Sequence, residues 1–158
     1  NPSSGPSRRS RNNVSASVGT VMKPAGFQNA QGIITAQYVK DPTDPQYAKD
    51  KDFQDWTAFM KKYYPSGSLI QGENAYGYAV ANLLIHVLKQ AGDDLTRANI
   101  MKQAANLKNI QLPMILDGIK VNTSPTDFYP IQSVRLSRFK GETYELCGDV
   151  ISGESASQ

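Results

Sequence analysis

The segment from Gly72 to Gly92 constrains the fold of this chain most strongly. Small residues fill its first half and branched aliphatic residues its second half, and the apolar positions recur at helical spacing. Gly92 follows the last periodic residue, as glycine often does at helix C-termini. The pattern predicts a buried helix. Its first two turns carry polar and aromatic side chains, namely Glu73, Asn74, Tyr76 and Tyr78.

The residues before this helix predict one strand and a second helix. Gly32–Val39 is rich in branched residues and is the best candidate strand. The prolines within residues 40–45 then require a loop. Gln46–Tyr64 has aromatic residues at a spacing of three to four, which predicts an amphipathic helix. We expect the two long helices to pack against each other.

The residues after this helix predict a third helix and a β-hairpin. Thr96 is a suitable N-cap for the third helix. Pro113–Val121 is apolar and reads as extended, and Ile131–Phe139 and Thr143–Cys147 flank a Lys140-Gly141 turn. This order predicts a mixed α/β or α+β fold that forms part of a larger sheet assembly.

Composition predicts a single domain, or one lobe of a larger protein, for 158 residues. The net charge of +3 arises from Arg8, Arg9 and Arg11. Without them the remaining 14 basic residues balance the 14 acidic ones, so nucleic acid is not an expected partner. We expect residues 1–13 to be a disordered or vector-derived tail and residues 154–158 a frayed one. No apolar run in these residues approaches the roughly 18 residues of a membrane span, and the polar first residues do not resemble a secretory signal. A cytoplasmic protein, a mature form and a fragment would all fit this observation.

Enzyme and metal motifs are absent from the sequence. The only cysteine is Cys147 and the only histidine is His86, so no disulfide, thiolate metal cluster or nucleophile–histidine pair is indicated. Five aspartates between residues 41 and 55 lack the glycine and glutamate of a calcium-binding loop, and we expect them to be solvated. The sequence predicts no cofactor, no metal and no catalysis.

The start of the Gly72–Gly92 helix is the candidate binding site. Free backbone N–H groups and short polar side chains can meet a small ligand where a loop becomes a helix. Tyr76 could offer a ring face, Asn74 an amide and Glu73 a carboxylate for an ammonium group. The alternative is ordinary helix capping and packing.

Four segments carry a resemblance to a known family. They are KPAGFQNAQGIITAQYVKDPTDP, FMKKYYPSGS, YGYAVANLLIHVLKQAGDDLTRANIMKQAANL and LPMILDGIKVNTSPTDFYPIQSVRLSRFKGETYEL. From Val14 to Gly153, their order and spacing resemble the C-terminal portion of the leucine/isoleucine/valine-binding-protein-like substrate-binding proteins of ABC transporters.

The resemblance implies a type I periplasmic binding fold, in which each of two lobes is a parallel sheet flanked by helices. Such proteins are secreted to the periplasm or tethered outside the membrane, close on an amino acid or related small organic acid, and deliver it to a permease without making or breaking a bond. The resemblance therefore predicts a periplasmic location for this chain. The resemblance places residues 40–45 at a hinge crossing and ligand contacts near Glu73–Tyr76. It predicts a small-molecule ligand and an ABC transporter permease as partners.

The family's chain is over twice as long as this one, so the resemblance predicts a fragment of a substrate-binding domain without a complete site. Its exposed sheet edges would allow association with another chain. Two other functions stay open: a ligand-sensing domain of a receptor or regulator with the same fold, and a structural or interaction module with a basic N-terminal tail. The sequence does not name the ligand.

Overall fold

The computed structural model describes residues 16–153, so the expectations for residues 1–13 and 154–158 lie outside it. A π-helical turn at Val18–Met22 leads into two short helical turns, Lys23–Ala25 and Phe27–Ala30. Strand β1 spans Ile34–Gln37, and a 3₁₀ turn spans Pro45–Tyr47. The three longer helices are α1 (Lys51–Tyr63), α2 (Gly72–Ala91) and α3 (Arg97–Ala104). Strands β2 (Ser133–Lys140) and β3 (Thr143–Ser152) follow.

These bounds confirm the predicted elements with small shifts. The long central helix runs from Gly72 to Ala91 as its pattern indicates, and Thr96 caps α3 by accepting the N–H of Asn99. The helix predicted from Gln46 begins at Lys51, because Pro45–Tyr47 forms a separate 3₁₀ turn. None of the helices in residues 16–153 is long and apolar enough to cross a membrane.

The three described strands form one sheet in the order β1-β2-β3, and both pairings are antiparallel. The mixed fold class and the C-terminal hairpin are confirmed, but the predicted parallel strand direction is not found in residues 16–153. Strands β2 and β3 are joined by a two-residue turn at Gly141, where φ is 63°, and so tight a connection can only join antiparallel strands. Residues 113–121, which read as extended, make only isolated bridges, such as Val39 with Ile115.

The apolar core forms three clusters. The first lies between α2 and residues 107–121. The second joins the N-terminal turns to the hairpin through Phe139 and Tyr144. The third joins α1 to α2 through Trp56, Met60 and Ala75, which confirms the predicted packing of the two helices.

Helix α2 is buried on one face only, which corrects the prediction of a buried helix. Ala75, Ala79 and Val87 are buried against the rest of the chain, whereas Leu84 is 53% exposed. The reason is that no other part of residues 16–153 packs on the Leu84 side. Helical periodicity identifies aliphatic residues, but it does not show whether a second layer is present to cover them.

The aspartates between residues 41 and 55 are mostly engaged rather than solvated, which corrects a second expectation. Asp44 is 3% exposed and accepts the N–H groups of Gln46 and Tyr144. Asp50 and Asp52 accept hydrogen bonds from the buried Lys40 ammonium at 3.0 and 2.9 Å. These carboxylates therefore hold the loop after β1 to the start of α1 and to the hairpin.

Candidate functional site

A cleft of about 600 Å³ opens where the end of β1 faces the start of α2. Its walls are residues 36–39 and 41–42 on one side and residues 70–73 and 76–77 on the other, with residues 16–17 and 20–21 at its edge. This volume falls within the range of small-molecule sites, roughly 300–1,000 Å³. The N-terminal turn of α2 therefore faces a space large enough for an amino acid.

Two tyrosines form the aromatic part of the cleft. Tyr38, at the end of β1, meets Tyr76 of α2 edge to face, with ring centroids 6.3 Å apart. Burial raises the pKa of Tyr38, and the neighbouring Tyr76 raises it further. Tyr38 therefore stays a neutral phenol near pH 7, able to donate and to accept a hydrogen bond.

Two charged side chains in the described part of the chain line the cleft, and both are acidic. Glu73 lies in the first turn of α2 and is exposed, and no side chain in residues 16–153 bonds to its carboxylate. Asp41 faces it from the loop after β1, where its carboxylate accepts the N–H of Val18 at 2.7 Å and the N–H of Thr43 at 2.9 Å. Asp41 thus fixes the wall of the cleft, whereas Glu73 is available to a ligand.

Asn74 lies beside the cleft but does not line it. Its Nδ2 donates a hydrogen bond of 2.8 Å to the backbone carbonyl of Ser68. This contact ties the loop before α2 to the first turn of the helix. Asn74 therefore helps to position the wall of the cleft.

The structure brings two of the three predicted site residues, Glu73 and Tyr76, to one cleft. Sequence reasoning did not find the opposite wall, formed by Gln37, Tyr38 and Asp41. A signal was available, because Gln37 ends strand β1 and Tyr38 and Asp41 lie in the loop that follows, and such loops commonly carry binding residues. Residues 16–153 hold no group of three or more histidine, cysteine or acidic side chains arranged to bind a metal ion.

Helix α2 begins without a side-chain cap. Gln71 precedes the helix in an extended conformation, and its side chain makes no capping hydrogen bond. The first turn of a helix has N–H groups without intrahelical partners, and they favour negative charge or a polar ligand atom. Glu73 lies in that first turn and interacts favourably with this end of the helix dipole.

No protein-family model matches the sequence, and no curated protein matches it either. Among solved structures, a branched-chain amino acid ABC transporter from Thermus thermophilus with bound valine is similar, with a TM-score of 0.58 and 14% identity. That match covers 84% of this chain and 36% of the other. A leucine binding protein from Thermotoga maritima MSB8 matches with a TM-score of 0.51 and 18% identity, over 85% of this chain and 34% of the other.

The chain therefore has the fold of part of a type I periplasmic binding protein, as its sequence predicts. It spans about a third of the length of each of these two structures. At this level of identity the likeness establishes the fold and leaves the ligand to be argued from the cleft.

Proposed function

We propose that this chain is part of the solute-binding component of an ABC importer. In this role it works outside the cytoplasm, binds a branched-chain amino acid or a related small organic acid, and passes it to a permease without chemical change. The observation that carries the proposal is the cleft at the start of α2, in a chain with the fold of amino-acid-binding proteins.

The charges of the cleft favour the ammonium end of such a ligand. Among residues 16–153 the charged side chains that line the cleft are Glu73 and Asp41, so a ligand carboxylate would meet repulsion there, and Glu73 already occupies the end of the helix dipole that favours negative charge. An ammonium group gains a charge-assisted hydrogen bond from Glu73 and a favourable contact with the face of a tyrosine ring. The ligand carboxylate would then point out of the cleft, toward groups beyond residues 16–153.

The site formed by these residues is partial. A binding protein that closes on its ligand surrounds it with two lobes, and this chain spans about a third of its structural relatives. We assign Glu73 to the ammonium group and Tyr76 to the apolar part of the ligand. Asn74 supports the loop that positions them.

A titration of the 158-residue protein with L-leucine, followed by ¹H–¹⁵N NMR, tests the proposal. We expect amide shifts around Tyr38 and Tyr76 with a Kd on the order of 1 mM, because half a site gives only a few kcal/mol. Isoamylamine, which is leucine without its carboxylate, should shift the same amides, and isocaproate, which lacks the amine, should not. Glu73→Gln should weaken binding by about tenfold, as the loss of a charged hydrogen bond predicts, and the exposed Glu142→Gln should leave it unchanged.

Three results would contradict parts of this proposal. Binding of isocaproate in preference to isoamylamine would reverse the orientation of the ligand. Micromolar binding of leucine to a monomer would show that the site is complete. Leucine that shifts no amide of the cleft at about 50 mM, a concentration well above the expected Kd, would remove the cleft as its binding site.

A further inference from the structure

The outer face of α2 is apolar without interruption. Between Tyr76 and Leu88 the exposed residues of this helix carry no charge. They are Tyr76, Gly77, Val80, Ala81, Leu84, Ile85 and Leu88. Their spacing places them on one side of the helix over more than three turns. We call this surface the outer face of α2.

The opposite side of the same helix is already packed. Ala75, Ala79, Val87 and Ala91 are buried against other parts of the chain. The helix is therefore apolar on two sides, and Asn82 and His86 belong to a narrow polar stripe between them. So wide an apolar surface is typical of helices that are enclosed by protein. Residues 16–153 supply only one of the two layers that such a helix requires.

The outer face is a better candidate for an interface than the edges of the sheet. The outer strand β3 carries exposed acidic residues, Glu145 and Asp149, and its pairing with β2 is irregular between Val134 and Leu136. Charged side chains and bulges of this kind discourage edge-to-edge pairing. Strand β1 has only four residues, which gives a further chain little to pair with.

Two observations indicate what covers the outer face: the length of the similar solved structures and the position of the face beside the cleft. The two solved structures with this fold hold nearly twice as much additional chain as the part that matches here. Tyr76 and Gly77 belong both to the outer face and to the wall of the cleft. Polypeptide that covers the whole of the face therefore also reaches the cleft, where a two-lobed site needs its opposing wall.

We propose that the outer face of α2 is buried by further polypeptide of the same gene product, the part that carries the rest of the two-lobed fold. The inference rests on the proposed function for the nature of that polypeptide. It adds the surface on which the fold is completed, with Leu84 at its centre. Gly77 and Ala81 leave this surface low enough for close approach, and an added Cβ on Gly77 would meet no atom within 4 Å.

Thiol labelling measures whether Leu84 is covered. Leu84→Cys and the control Glu142→Cys, in the exposed hairpin turn, are each made in a Cys147→Ser background. Maleimide labelling rates are compared in the 158-residue protein and in the product of the complete reading frame that encodes it. We expect similar rates at both positions in the short protein. In the complete product we expect labelling at least about tenfold slower at position 84 only, since burial blocks access to a thiol.

Two results would overturn the inference. One is equal labelling of the two positions in the complete gene product, including the case in which the reading frame encodes no more than this chain. The other is slow labelling at position 84 in the short protein that depends on its concentration, which would identify a second copy as the occupant. Neither labelling result depends on a ligand. Absence of leucine binding would therefore count against the proposed function, and exposure of Leu84 in the complete product would count against this inference.

Discussion

The two long helices pack against each other but present opposite kinds of surface to solvent. The exposed residues of α1 are mainly charged or polar and include Lys51, Gln54, Asp55, Lys61 and Lys62. Those of α2 between Tyr76 and Leu88 are apolar throughout. Helix α1 thus has the mainly polar outer side of a surface helix, whereas the outer side of α2 has the composition of an interior helix.

The N-termini of the two helices also differ, because that of α1 is capped and that of α2 is not. Asp50 caps α1 by accepting the N–H of Phe53, and Lys40 holds both Asp50 and Asp52. Helix α2 begins after Gln71 without a side-chain cap and faces the cleft. The capped start of α1 has a backbone N–H group engaged by a side chain, whereas the start of α2 has no such cap, and under the proposed function it is the start of α2 that meets the ligand.

Truncation of the packed face of α1 should have the largest effect on stability. Trp56 is fully buried and contacts Phe53 with ring centroids 5.9 Å apart, so Trp56→Ala should lower the free energy of unfolding by about 3–5 kcal/mol. Phe59→Ala is the matched control on the same helix, since Phe59 is 41% exposed, and it should cost less than half as much. Urea denaturation followed by circular dichroism measures both. Equal losses would mean that the exposed side of α1 is also packed.

The sequence predicts both helices because their apolar spacing and terminal residues act locally. Gly92 ends α2 with a positive φ of 65°, and Thr96 caps α3, as their residue types indicate. The same apolar spacing also led to the prediction that α2 is buried, which is correct for one of its faces only. Burial depends on the neighbours that a helix meets in the folded chain, and a pattern of Val80, Leu84 and Leu88 looks the same whether or not a second layer is present.

The wall of the cleft formed by α2 could be predicted from the sequence, whereas the opposite wall could not, because its position depends on tertiary structure. Glu73 and Tyr76 stand out because they begin a strong helix. Tyr38 and Asp41 reach the same cleft only because β1 pairs with β2, whose residues lie about 100 positions later in the chain. The sequence did not predict the ion pairs of Lys40 with Asp50 and Asp52 for a related reason. A loop rich in charged residues is expected to be solvated, and only the tertiary structure shows that Lys40 is buried.

Removal of the Lys40 charge should have an intermediate effect on stability. It tests how much the ion pairs of Lys40 stabilise the start of α1. Lys40 is 3% exposed, and its ammonium also lies 3.3 Å from Asp117. Burial opposes its charged form, but hydrogen bonds to Asp52 and Asp50 outweigh that effect and raise its pKa. Lys40→Met should lower the free energy of unfolding by about 1.5–3 kcal/mol, because it leaves Asp50 and Asp52 without their buried donor.

The pH dependence of that loss identifies its cause. Burial would raise the pKa of Asp50, but hydrogen bonds from Lys40 and from the backbone N–H of Phe53 hold it below its usual value. A carboxyl with a lowered pKa in the folded state stabilises the protein above its unfolded pKa of about 3.9, and this stabilisation is lost as the pH falls through the folded pKa. Wild type should therefore lose stability below about pH 4 more steeply than Lys40→Met. Parallel acid profiles for the two proteins would show that Lys40 stabilises by packing alone.

A change on the outer face of α2 should have the smallest effect in the 158-residue protein. Leu84→Ser removes an aliphatic side chain that already contacts water, so the free energy of unfolding should change by no more than about 0.5 kcal/mol. Val87→Ala, less than one turn away on the buried face and 5% exposed, should cost about 1–2 kcal/mol although it removes fewer atoms. Urea denaturation at two protein concentrations measures both. A large, concentration-dependent loss for Leu84→Ser would mean that the face is already covered by a second copy, and the contrast between the outer sides of α1 and α2 would then disappear.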